Sequence, residues 1–197
     1  MSNTDDMPQP VMVYPSLRQL PPVELPDGYR LQSFREGDEA LWNDVLDASF
    51  GREPGTTNFA TDMATDPAYR PERVKLILSA ANEPVATASA WHRPAFGELY
   101  GYLHWVGTHP EHRGKRLGYW VSLAAMHQAA EDGREAMLLE TSFGRVAAIK
   151  LYLNMGFEPR LTDSRHAENW RQVLADLNYP QRFETIVDGP LNPFCAD

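Results

Sequence analysis

The chain has 197 residues, 43% of them hydrophobic and 23% charged, with a net charge of −9 and a pI of about 5.1. Length and composition fit one globular domain with a substantial buried core. They exclude a membrane span, which needs about 18 consecutive apolar residues, and the acidic balance lacks the basic footprint that nucleic-acid binding requires.

The single cysteine, Cys195, has no internal disulfide partner. The N-terminus carries Asp5 and Asp6 where a secretory signal would have basic and then apolar residues. A cytoplasmic protein is the expectation.

Residues 1–28 contain Pro8, Pro10, Pro15, Pro21, Pro22 and Pro26, a density that resists helix and central strand. They read as an extended arm packed through Val11, Val13, Tyr14 and Leu17. Such an arm can wrap its own chain or reach a second copy in a homodimer. Tyr29 to Phe34 reads as a strand. Asp38 is placed to cap a helix running to Phe50, with Leu41, Trp42, Val45 and Leu46 on one face. Residues 51–72 read as a loop with a short helix near 59–64. Strands at 73–80 and 85–92 form a hairpin around Asn82-Glu83-Pro84. A loop at 93–97 leads to a long strand, Glu98 to Thr108. Trp91, His92, Tyr100 and Tyr102 serve equally as core or as the wall of a pocket.

A helix over 117–132 ends at Gly133, and 135–140 is again a strand. A helix from Arg145 to Met155 stops at Gly156, followed by a strand to Leu161 and a last helix over 164–177. The remaining residues read as irregular. The order implies an α/β fold with a mixed sheet: antiparallel strands first, then alternating parallel units with helices on both faces. The domain reading is an arm at 1–28, a single domain at 29–180 and a tail at 181–197.

The most informative stretch is Arg113-Gly114-Lys115-Arg116-Leu117-Gly118. A strand, a basic glycine-containing turn and a helix N-terminus together make an anion site, because the turn's N–H groups are unpaired and the helix dipole adds roughly half a positive charge. The pattern is neither a Walker loop nor a Gly-x-Gly-x-x-Gly fingerprint. His104, His109 and His112 raise the question of a metal. Pro110 prevents the helical spacing of a His-Glu-x-x-His site and Cys195 is remote, so no metal is expected.

His109-Pro110-Glu111-His112-Arg113-Gly114-Lys115-Arg116-Leu117-Gly118, followed by Ala148-Ile149-Lys150-Leu151-Tyr152 and Gly156-Phe157, resembles the GNAT N-acetyltransferase superfamily over residues 84–160. The resemblance implies acetyl-CoA as co-substrate and an amine, on a small molecule or peptide, as acceptor. It places the pyrophosphate on the amides of Arg113–Gly118, with Leu117 inside that loop. It places the pantetheine along the backbone of Val106, Gly107 and Thr108, where a strand edge can take up an extended ligand. A backbone N–H near Val106 would polarise the thioester carbonyl. Tyr152 matches the residue that protonates the departing thiolate, and an unperturbed phenol is nearly balanced with an alkyl thiol.

Strict alternation puts Glu98, Tyr100, Tyr102, His104 and Val106 on one face. Glu98, His104 and Glu140 are the candidate bases, directly or through water. Two positions depart from the family pattern. Arg116 replaces a glycine, which is tolerable at negative φ, where its guanidinium could add a phosphate contact. Arg145 replaces the Asn that often opens the helix and can serve the cofactor, the substrate or only the helix end. These departures leave room for a non-catalytic acyl-CoA-binding or sensor protein of the same fold.

Overall fold

The computed structural model describes residues 8–188; Cys195 lies outside them. The chain divides into two compact units, one formed by Ser16–Met137 and the other by the N-terminal segment to Pro15 with the chain from Leu138 onward.

The larger unit is built on four antiparallel strands in the order β2-β3-β4-β5: β2 (Arg30–Ser33), β3 (Val74–Leu78), β4 (Pro84–Trp91) and β5 (Tyr100–Thr108). The β3–β4 hairpin forms at the expected turn, with Asn82 at φ 63°. Helix α1 (Glu39–Phe50) buries Trp42, Val45 and Leu46, the stripe its spacing predicts. Asp38 precedes it, but its carboxylate accepts from Arg35 N–H and Gln32 instead of capping the helix. A short helical turn follows at Ala60–Ala64. Helix α2 (Leu117–Glu131) is apolar nearly all round and buries residues from Leu117 to Ala129. Gly133 follows it in a left-handed conformation, φ 82°.

The alternation expected along β5 is broken. Thr87 pairs with Gly107 while Ser89 pairs with His104, so β5 carries one residue more than β4 over that span. This is a β-bulge, and Trp105 within it has φ 49°, a value a bulky residue rarely adopts. The extra residue inverts the faces beyond it. A Cβ on Gly101 would meet Ala129 of α2, whereas one on Gly107 would lie 2.8 Å from Leu46 and 3.2 Å from Ser49 of α1. The two helices therefore cover opposite faces, and Val106 does not share a face with His104.

The smaller unit has the strand order β6-β1-β7-β8: β1 (Val11–Tyr14), β6 (Ala136–Glu140, entering from the larger unit), β7 (Glu158–Leu161) and β8 (Val187–Asp188). Strand β1 runs antiparallel to β7, and β8 runs parallel to β7, so the sheet is mixed as expected. The arm, expected to be merely extended, supplies an internal strand. Its prolines, Pro8, Pro10 and Pro15, all fall outside Val11–Tyr14, leaving Val11, Met12 and Val13 buried. The irregular tail likewise contains β8 and a short turn at Pro180–Phe183. Helix α3 (Val146–Met155) ends at Gly156, φ 102°, where a Cβ would sit 3.2 Å from the Tyr14 ring. Helix α4 (Ala167–Asp176) buries Trp170, Val173 and Leu174, and a tight turn at Ser164–His166 replaces the first turn read from the sequence.

Among the described residues no helix is long and apolar enough to cross a membrane, and no three His, Cys, Asp or Glu side chains are grouped to hold a metal ion.

Candidate functional site

In the larger unit, β5 leads through His109 and the Pro110–His112 turn into the basic loop and α2. Gly114 has φ 79° and Arg116 φ 59°. The negative φ on which an arginine at 116 depended is not found; the residue holds a left-handed conformation that glycine would take without cost. Its guanidinium lies back over Tyr119 at 4.6 Å and Trp120 at 5.2 Å. Among the described residues, the backbone N–H groups of residues 114–119 donate to no protein acceptor. This row, ending in the first turn of α2, offers the unpaired donors that an anion at a helix N-terminus would use.

Tyr29 ties the loop down. Its hydroxyl accepts from Lys115 Nζ at 2.7 Å and meets His112 Nδ1 at 2.9 Å. Nothing in the sequence pointed to Tyr29, which lies far from the loop along the chain.

Thr108 is less open than the resemblance implies. His109 N–H donates to Val85 O at 2.8 Å, so by antiparallel alternation Thr108 N–H points away from β4. There it donates to Ser49 Oγ at 3.0 Å. Gly107 is fixed by the close approach of α1.

Two of the candidate bases also lie in this unit. Glu98 precedes β5 and its side chain is 76% exposed; it pairs with Arg134 at 2.9 Å and His92 at 3.5 Å. The Arg134 hydrogen bond, then the His92 charge, hold its carboxyl below the ordinary range. His104 lies among the rings of Trp91, Tyr102 and Trp105. Burial, reinforced by Arg93, lowers its pKa to about 3. A carboxylate held ionised and an imidazole that resists protonation are both weak proton acceptors at neutral pH. Since the unfolded imidazole titrates near 6.5, His104 removes stability as pH falls from about 6.5 toward 3. Its ring resonances are expected to stay in the neutral form down to pH 4 by NMR; a midpoint near 6.5 would refute this burial. Trp91, Tyr100 and Tyr102 are buried, which places them in the core. Trp91 Nε1 donates to Asp66.

In the smaller unit, Tyr152 stands on α3 and is 7% exposed, its ring 5.8 Å from Phe157. Burial raises its phenol to about 12, against the opposing charge of Arg145. The near balance with a thiol is thus not kept in the ligand-free protein, and the phenol is firmly protonated. Its hydroxyl has no hydrogen-bond partner among the described residues. Arg145 directly precedes α3, and Glu140 ends β6.

The family model described as acetyltransferase (GNAT) family matches residues 39–157. The chain is 29% identical over 162 residues to the mycothiol acetyltransferase of Nocardia farcinica, across 77% of this chain and 52% of that protein. It is 30% identical over 154 residues to the mycothiol acetyltransferase of Paenarthrobacter aurescens, across 72% and 46%. It spans about half the length of the curated relatives it matches. A GCN5-related N-acetyltransferase from Sphaerobacter thermophilus superposes with a TM-score of 0.57 at 22% identity, over 78% of this chain and 49% of that one. An acetyltransferase structure from Novosphingobium aromaticivorans gives 0.57 at 21%, over 79% and 62%; both likenesses bear on the fold. The chain belongs to the GNAT acetyltransferase family.

Proposed function

We propose that the protein is an acetyl-CoA-dependent N-acetyltransferase that transfers the acetyl group directly to an amine. The observation that carries this reading is the row of unpartnered N–H groups at residues 114–119, in a chain of this family. In the proposed reaction Arg113–Gly118 hold the pyrophosphate, while the backbone of Val106, Gly107 and Thr108 holds the pantetheine. The amine nitrogen bonds to the thioester carbon, the C–S bond breaks, and the sulfur takes the Tyr152 proton. The amine proton leaves through water. Of the three candidate bases we retain Glu140, because Glu98 and His104 are weak acceptors. Arg145 carries the positive charge that favours ionisation of Tyr152.

The acceptor is a small-molecule or peptide amine. The name shared by the relatives makes a thiol-bearing amine the first to assay. No metal, nucleic acid or membrane enters this reading, the compartment is cytoplasmic, and any homodimer would form through surfaces other than Val11–Val13, which are buried in their own chain. Calorimetry with acetyl-CoA is expected to show one saturable site per chain, and absence of heat over a millimolar range would end the proposal.

The second reading, an acyl-CoA-binding protein without catalysis, is favoured by the weak basicity of Glu98 and His104. Thioester release in the presence of amines separates the two: release above the amine-free rate defines the enzyme, and binding without release the sensor.

A further inference from the structure

We infer that Ser49 is an internal stand-in for the pantetheine arm of the co-substrate, occupying the Thr108 N–H that the arm must take and thereby setting co-substrate affinity. The inference rests on the proposed function, since it assumes that the backbone of β5 at Thr108 receives pantetheine.

Beyond the bulge at Trp105, the backbone of β5 is out of step with β4, and Thr108 turns its N–H outward. An outward N–H that no neighbouring strand takes is the donor that an extended amide ligand uses when it adds alongside. Here that donor is already satisfied, by Ser49 Oγ at 3.0 Å. The contact is built into the packing. Ser49 stands in the last turn of α1, whose Trp42, Val45 and Leu46 are wholly buried. The helix reaches β5 because position 107 has no side chain: a Cβ there would fall 2.8 Å from Leu46 Cδ2 and 3.3 Å from Ser49 Oγ. Gly107 therefore admits the hydroxyl that caps its neighbour.

A hydroxyl and an amide carbonyl compete for one proton, so binding must break the Ser49–Thr108 bond. Rotation about χ1 of Ser49 releases it without moving α1. Ser49 thus satisfies the Thr108 N–H in the empty protein and weakens binding by the worth of one exchanged hydrogen bond.

The test measures acetyl-CoA dissociation constants by calorimetry together with residue-resolved hydrogen exchange at Thr108. Ser49→Ala is expected to bind about threefold to tenfold more tightly than wild type, and Ser49→Thr, which keeps the hydroxyl, to stay within about twofold of it. Without ligand, Thr108 N–H is expected to exchange faster in Ser49→Ala than in wild type; with saturating acetyl-CoA it is expected to be protected in both. A purely structural serine predicts the opposite affinity change, because its loss loosens α1. Unchanged or weaker binding in Ser49→Ala, or a Thr108 amide that acetyl-CoA leaves unprotected in that variant, overturns the inference while the function stands. Failure of wild type to bind acetyl-CoA removes both.

Discussion

Tyr152→Phe is expected to lower kcat for acetyl transfer by about 10²- to 10⁴-fold, the usual contribution of a positioned general acid, with KM for acetyl-CoA changed less than about threefold. The asymmetry follows from where the hydroxyl stands. Among the described residues it bonds to nothing, so removing it breaks no protein contact, and the ring that packs against Phe157 at 5.8 Å remains. A tyrosine serving only as packing would leave kcat at the wild-type value, and that result would withdraw the acid role. The pH dependence has a definite sign. With its pKa raised by burial to about 12, Tyr152 stays protonated throughout the working range, so it imposes no loss of kcat near pH 10. The unfolded phenol ionises near 10 and the folded one near 12. Stability contributed by this group is therefore complete below pH 10 and falls by ~3 kcal/mol as pH rises to 12. Alkaline melting of Tyr152→Phe is expected to lack that component.

What could be read from the sequence divides along a physical line. The stripe Trp42, Val45, Leu46 and the buried run of α2 follow helical spacing, and Gly133 and Gly156 mark helix ends because each needs a left-handed turn. These features depend on residues near one another in the chain. The bulge at Trp105 depends instead on how β5 pairs with β4, and strict alternation consequently gave Val106 the wrong face. The strand Val11–Tyr14 is hidden by flanking prolines, and what defines it is its partner β7, distant in sequence. Tyr29 against His112 and Lys115, and Ser49 against Thr108, join positions with no local signature. The motif located Tyr152, but its acidity is a property of burial. Arg116 shows the reverse case: its mismatch with the family pattern was legible, while the left-handed backbone and the stacking on Tyr119 and Trp120 were not.

Asp47→Ala is expected to cost about 3–4 kcal/mol and to lower the melting temperature by roughly 10 °C. Asp47 is only 2% exposed, yet its carboxylate accepts from four donors: Gly55 N–H at 2.7 Å, Thr56 N–H at 3.1 Å, Thr57 N–H at 2.9 Å and Thr57 Oγ1 at 2.5 Å. Burial pushes its pKa up, and the Thr57 hydroxyl with the three amides more than offsets this, so the net shift is downward. The group is consequently ionised at neutral pH, and its contribution is lost only as pH falls below the ordinary 3.8. Alanine strands those donors, and each unsatisfied buried donor costs ~1–3 kcal/mol before relaxation and water entry recover part of it. Thr57 in turn accepts from Arg52 at 3.0 Å, and Arg52 stacks on Phe50 and Trp105. The cage therefore joins the end of α1 to the bulge of β5 through one carboxylate. Asparagine is expected to restore less than half the loss, because its NH₂ would face N–H donors where an oxygen accepts in the wild type. Thermal melting with hydrogen exchange at Gly55, Thr56 and Thr57 checks both parts: the exchange should accelerate at these three amides in both variants. A melting shift under about 3 °C would show that the loop after α1 is held by its other contacts.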